Sequence, residues 1–279
     1  MLDFECWIIV EYRIMSKIGK LFKSIEMIAR KPYLLNLVLD DNLAWKKRLL
    51  KDYAIEGLDE IRLSDLMGGE EVSVKPFAFM EGGSIPTDLV LLKLLATGFD
   101  SCKYFEIGTW RGESVASVAE VAAHCTTMNL PPARMKELGQ SDDYIMQYAM
   151  FSKELTNVIH LEEDSLTYDY ASLGKKFDLI FIDGDHHYES VKKDTENVFK
   201  HLMHENSIVV WHDYAWQPGD VRFETLAAIM AGVPEHCRSK IYAVRNTMCA
   251  VYIPYEIKSY VASVIAQKEE AFALSIKTF

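Results

Sequence analysis

Apolar residues recur at helical spacing early in the chain and gather into short unbroken runs later. Ile18, Leu21, Phe22, Ile25 and Ile28 mark one helical face, with Lys17, Lys20 and Lys23 between them. Residues 15–57 therefore read as helical, broken at Pro32, with a second short helix over 43–53. Residues 58–88 show no period and carry the glycine pairs Gly68-Gly69 and Gly82-Gly83. A helical pattern resumes at Thr87 and runs through Leu95, with Asp88 in the first turn, where a negative charge suits the helix dipole.

From Lys103 onward, strand-like and helix-like stretches alternate. The runs predict strands over 103–107, 124–129, 157–161, 177–182, 207–212, 239–244 and 248–253. Between and after them, helices are predicted over 111–123, 142–154, 188–203, 221–231 and 255–270. Alternating strands and helices imply a parallel sheet covered on both faces. Only Arg245-Asn246-Thr247 joins the last two strands, and so short a link allows only an antiparallel pair. The expected fold is α/β: a Rossmann-like, doubly wound, seven-stranded sheet, mostly parallel with an antiparallel seventh strand. A helical arm and irregular linker (residues 1–80) precede that domain (81–279).

Composition narrows the class. The chain has 279 residues, 49% hydrophobic and 25% charged, as ordinary globular proteins do. Its net charge of −11 argues against general nucleic-acid binding, which needs a basic face. The five cysteines are dispersed with no C-x-x-C pair, so neither a thiolate zinc site nor a disulfide framework is indicated, and a reducing cytoplasm is expected. Cys102, Cys125 and Cys249, in or beside predicted strands, read as small core residues. No apolar run reaches the roughly 18 residues of a membrane span. Met1 to Val10 holds Asp3 and Glu5, unlike a basic-headed leader, and Met15 is as plausible a start as Met1. The basic amphipathic arm has two readings: contact with a membrane surface, or packing on the domain or on a second copy, the commoner use of such an arm.

The chemistry concentrates at strand ends. Phe105-Glu106-Ile107-Gly108-Thr109-Trp110-Arg111-Gly112-Glu113-Ser114 reads as a strand, a tight turn and a helix start. Phe177 to Tyr188 is a buried-type strand followed by Asp183-Gly184-Asp185-His186-His187, and Ser207 to Tyr214 is another, ending in His212-Asp213. Ligands of open α/β sheets bind beyond the carboxyl ends of the strands. Carboxylates crowded there are poorly explained as core.

The E-x-G-x-x-x-G turn resembles motif I of class I S-adenosylmethionine (SAM) dependent methyltransferases. The D-G-D-H-H-Y and H-D-Y pair is similar to the family that includes macrolide-sugar and other natural-product O-methyltransferases, themselves like the catechol-type, metal-dependent enzymes. The resemblance covers roughly residues 80–255. It implies that the Gly108–Gly112 turn, with Thr109, Trp110 and Ser114, passes beneath the amino-acid end of SAM, whose ammonium Glu106 answers. Asn129 stands where the family usually places a ribose-binding acid. Asp164 and Ser165 stand where it contacts adenine, although either could equally cap the next segment. The segment around Gly82-Gly83 would fold over the cofactor as a lid.

The resemblance also assigns Asp183, His212 and Asp213 to a divalent cation, Mg²⁺ or Mn²⁺. The carboxylates suit hard ions, whereas an imidazole leans toward transition metals. Asp183 borders the cofactor as well. His186 falls at the general-base position, and Asp185 is either a ligand or a partner that orients a histidine. Trp211, Tyr214 and Trp216 could line an acceptor site. The expected activity is SAM-dependent O-methylation of a small hydroxylated acceptor, sugar-like or natural-product-like. The alternatives are a metal-independent methyltransferase acting on nitrogen or protein, and a non-catalytic SAM-binding module. Partners expected are that small molecule and a second copy of the chain, joined through the N-terminal helices.

Overall fold

A computed structural model describes residues 17–32, 34, 42–80, 82–262 and 270–277. The chain forms two compact units, Met1–Ala44 and Trp45–Phe279. The first holds helix α1 (Lys17–Arg30), as the apolar spacing predicts, and none of its residues is buried. The proposed starts at Met1 and Met15 lie outside the described residues.

Helix α2 (Asn42–Tyr53) spans the boundary, and the second unit continues with a short strand, β1 (Glu60–Arg62), and then α3 (Leu63–Met67) and α4 (Pro86–Thr97). The expected strands follow as β2 (Lys103–Ile107), β3 (His124–Asn129), β4 (Val158–Glu162), β5 (Phe177–Ile182) and β6 (Met203–Trp211). A two-stranded ribbon, β7 (Ala215–Gln217) and β8 (Asp220–Val221), precedes β9 (Ile241–Arg245) and β10 (Ala250–Tyr252). The intervening helices are α5 (Glu113–Ala119), α6 (Pro132–Glu137), α7 (Asp142–Met146), α8 (Tyr188–Asn197) and α9 (Phe223–Gly232).

The main sheet has the order β1-β9-β10-β6-β5-β2-β3-β4. Only β10 runs antiparallel to its neighbours, β9 and β6, so the expected Rossmann-like topology holds. Among the described residues the sheet has eight strands rather than seven. Glu60–Arg62, expected to be irregular, adds to the edge by pairing parallel with β9. Three residues are too few to show a period in sequence.

Side chains alternate across the sheet, as the two-residue repeat of a strand demands. Phe105, Ile107, Ile180, Ile182, Val209 and Trp211 enter one core layer. Tyr104, Leu179, Phe181, Ile208 and Val210 enter the other. Glu106 is on the second face too, and is fully buried. Cys102, Cys125 and Cys249 are buried and free, as read from the sequence.

Two predicted helices need correction. The 142–154 helix stops at Met146, because Ala149 turns to φ 53° and its N–H bonds Trp110 O at 2.6 Å. Phe151 N–H likewise donates to Arg111 O at 3.0 Å, so the glycine turn claims donors that a longer helix would use. The expected 255–270 helix is absent among the described residues, where Tyr260 instead bridges antiparallel to Glu60.

Candidate functional site

The strand order reverses between β2 and β5, and ligands of doubly wound folds bind at such a switch point. A cavity of about 790 Å³ opens there, within the roughly 300–1,000 Å³ usual for ligand sites. Gly108, Thr109, Trp110, Gly112, Ser114, Asn129, Asp164, Ser165, Asp183, His186 and Asp213 all line it. Of the residues assigned from sequence to cofactor, cation or catalysis, Glu106 and His212 are not on its wall.

The turn between β2 and α5 forms one side. Gly108 has φ 99°, and a Cβ there would meet the Asp183 carbonyl oxygen at 1.9 Å. This glycine therefore lets two strand ends approach each other. Gly112 (φ 79°) packs on Ser152, whose Oγ a Cβ would meet at 2.2 Å. Trp110, also at positive φ, stacks on Tyr144 with ring centroids 5.1 Å apart. The Trp110 backbone N–H donates to Asn129 Oδ1 at 3.2 Å, which leaves that oxygen one lone pair for a ligand hydroxyl. Arg111 and Glu113 form a buried ion pair at 2.9 Å. Gly83 lies against Arg111 and Gly82 against Trp110, so the segment read as a lid contributes Gly82, Gly83 and Ser84 to the wall.

Glu106 sits behind this turn. Tyr104 Oη donates to its Oε2 at 2.6 Å and Thr127 Oγ1 to its Oε1 at 3.0 Å. Burial raises its pKa to about 8 against the pull of the hydrogen bonds from Tyr104, Ser114 and Thr127. Each carboxyl oxygen accepts a hydrogen bond within the protein, so Glu106 supports the turn from behind, off the cavity wall.

At the far end, Asp164 Oδ1 accepts from Leu166 N–H at 3.0 Å, so the residue caps its own turn while still facing the cavity. Beside it, Asp194 on α8 is 1% exposed, and its Oδ1 has no hydrogen-bond partner. Burial pushes the Asp194 carboxyl up to about 7. Nothing in the sequence singled this residue out.

The acidic end gathers Asp183, His212 and Asp213. His212 Nδ1 lies 3.0 Å from Asp183 Oδ1 and 3.6 Å from Asp213 Oδ2, yet makes no hydrogen bond of acceptable geometry. On its other side, His212 Nε2 contacts Asp88 Oδ2 at 3.1 Å. Asp88 is fully buried and also accepts from Ile85 N–H and Met248 N–H. Burial opposes charge on His212, but Asp183, Asp213 and Asp88 outweigh it and hold its pKa well above the ordinary value. Asp213 takes φ 53°, a conformation that costs a non-glycine residue energy and recurs at functional sites.

These three donor atoms lie within 4.8 Å of one another. Adjacent ligands about 2.1 Å from an ion stand roughly 3.0 Å apart, so the spacing suits a divalent cation once Nδ1 has lost its proton. With a cation there, Asp88 would complete a carboxylate–histidine–metal arrangement, in which an outer carboxylate fixes the ring. The sequence suggested only a helix-dipole role for it.

His186 Nδ1 is 3.9 Å from Asp213 Oδ2. Burial first, then Arg222, lower its pKa. Asp185 orients His187, contacting its Nδ1 at 2.5 Å, and accepts from Ser190 Oγ at 2.7 Å. Of the three aromatics assigned to an acceptor site, Trp211 and Tyr214 are core residues, and Trp211 donates inward to Thr195 Oγ1. Trp216 alone lines the cavity, with the Arg222 guanidinium 4.0 Å from its ring centroid.

Residues 105–214 match a family described as a methyltransferase domain. Among curated proteins, the chain is 30% identical over 138 residues to an uncharacterized protein, R132, of Acanthamoeba polyphaga mimivirus, covering 46% of this chain. The match spans about three fifths (61%) of that relative's length. Similar solved structures include the SAH-bound methyltransferase PaMTH1 of Podospora anserina, at 17% identity and TM-score 0.43, covering 61% of this chain and 80% of that one. They also include the N-methyltransferase NodS of Bradyrhizobium japonicum with S-adenosyl-L-homocysteine, at 16% identity and TM-score 0.39, covering 59% and 82%.

Proposed function

We propose that this protein is a SAM-dependent methyltransferase that methylates a hydroxyl of a small acceptor with help from a divalent cation. One observation carries the reading. A single cavity at the switch point joins the Gly108–Gly112 turn to the cluster of Asp183, Asp213 and His186. The match of residues 105–214 to the methyltransferase-domain family supports methyl transfer in general.

Thr109, Trp110, Gly112 and Ser114 would hold the amino-acid end of SAM. Asn129 would hold the ribose, and Asp164 and Ser165 would border the adenine. Asp183, His212 and Asp213 would hold the cation. Bound there, SAM supplies an electrophilic methyl group on sulfur, and the cation lowers the pKa of an acceptor hydroxyl. His186, half exposed on the wall, takes the hydroxyl proton. Trp216 offers a flat apolar face to a ring or sugar. Methyl transfer forms an O–CH3 bond as the S–CH3 bond breaks, leaving a neutral thioether.

A metal-independent enzyme is the second reading. It is favoured by the three carboxylates that stabilise His212 as an imidazolium, a fixed positive charge at the same place. Calorimetric titration of SAM into the full chain, with Mn²⁺ and again with EDTA, tests both. The main reading expects saturable SAM binding and a separate Mn²⁺ isotherm that Asp183→Ala removes. SAM binding with no Mn²⁺ isotherm would favour the second, and no SAM binding would reject both.

A further inference from the structure

Helix α1 carries an apolar stripe with no place in the catalytic reading. At about 100° per residue, Ile28, Leu21, Ile25, Ile18 and Phe22 fall within an arc of roughly 120°. Ile18 is 67% exposed, Leu21 59%, Phe22 67% and Ile25 53%. Large apolar side chains exposed together on one face mark an interaction surface.

The rest of the helix is basic. Lys17, Lys20, Lys23 and Arg30 occupy it and Lys31 follows, against one acid, Glu26, which pairs with Arg30 at 2.6 Å. This concentration stands out in a chain of net charge −11. Lys17 borders the apolar arc on its Ile28 side and Lys20 stands further round the same flank; long lysine stems can lie along apolar material while the ammonium groups reach anionic headgroups.

We propose that the α1 face docks on an anionic lipid surface, with Leu21, Phe22, Ile18 and Ile25 entering the headgroup–acyl boundary. Charge complementarity selects this occupant. A bilayer of acidic lipids offers an apolar layer beneath a negative one, matching the stripe and its basic rim together. In a parallel pairing of two α1 helices along the same stripe, Lys17 of each copy would flank one seam, and like charges there disfavour association. Among the described residues no helix is long and apolar enough to cross a membrane, so the contact is peripheral. One helix of this length gives reversible binding.

The test is sedimentation of the full chain with phosphatidylserine-containing vesicles and with pure phosphatidylcholine vesicles, at low and high salt. Light scattering reports the mass of the same samples without lipid. The proposal expects binding to the serine-containing vesicles that falls with salt, and little binding to phosphatidylcholine alone. Leu21→Glu with Phe22→Glu should abolish it, and Lys17→Glu with Lys20→Glu should weaken it by on the order of tenfold or more. Neither pair touches the catalytic cavity, so SAM affinity serves as the check that each variant is folded. Three results would overturn the proposal: no vesicle binding by the wild type, equal binding to both vesicle types, or loss of a dimer rather than of vesicle binding in Leu21→Glu/Phe22→Glu.

Discussion

At the scale of single residues, the site depends on groups whose charge state the fold has moved. Glu106 keeps its proton up to about 8 in the folded chain. Unfolded, it ionises near 4.3. A carboxyl whose pKa is raised by folding contributes fully below the unfolded value, and that contribution is lost as pH rises through the folded value. Thermal melts of Glu106→Gln and wild type should therefore differ least near pH ~4 and diverge in the variant's favour up to about 8. Parallel pH profiles would show that Glu106 is ionised in the fold.

His186 is shifted the other way, by burial and then by Arg222. A general base must be unprotonated, so turnover should rise with pH and level off below the ordinary histidine range. His186→Ala should lower the chemical step by on the order of 10²–10⁴-fold while retaining SAM and Mn²⁺ binding. A profile unchanged in His186→Ala would assign deprotonation to other groups.

At the scale of elements, strands were the easiest to read. Their apolar runs are long and enter two core layers, so β2, β3 and β5 begin and end where the pattern places them. Helix ends were harder, because tertiary partners decide them. Nothing local to Ala149 reveals that the carbonyls of Trp110 and Arg111 will capture the donors of that segment. The tertiary partners of Asp88 and Asp194 escaped notice for a related reason. Each looks like an ordinary helical acid until the sheet brings His212 or Ser165 beside it.

Asp88 links the start of α4 to the end of β6, and the link can be tested. Asp88→Asn should reduce Mn²⁺ affinity by roughly 10–100-fold, the usual effect of losing an outer partner of a ligating histidine. Asp88→Glu should recover part of it. Paramagnetic resonance of free Mn²⁺ measures both, and wild-type affinity in Asp88→Asn would leave this carboxylate a structural role only. Gly108→Ala, in contrast, should destabilise the chain itself by about 1–3 kcal/mol or more, since the added methyl overlaps the Asp183 carbonyl. Denaturant unfolding would show it, and a stable Gly108→Ala variant would mean that the turn can move away from β5.

At the scale of the whole molecule, the sheet order does most to define function. Reversal between β2 and β5 opens a crevice beyond the adjacent strand ends on which Gly108 and Asp183 stand, and the same crevice receives His186 and Asp213. The sequence showed these groups as separate motifs, and their convergence needed only a parallel sheet to be anticipated. Acceptor identity was not legible, because the wall around Trp216 and Arg222 is assembled from a ribbon, β7–β8, that the apolar pattern does not reveal. The central claim is that one cavity holds SAM and a divalent cation side by side. Proton relaxation of the S-methyl group of SAM, titrated with Mn²⁺ in the presence of the full chain, tests it most directly. The account predicts strong paramagnetic broadening of the methyl signal that Asp183→Ala abolishes. A SAM methyl signal that binds the protein but is untouched by Mn²⁺, or broadens equally in Asp183→Ala, would contradict it.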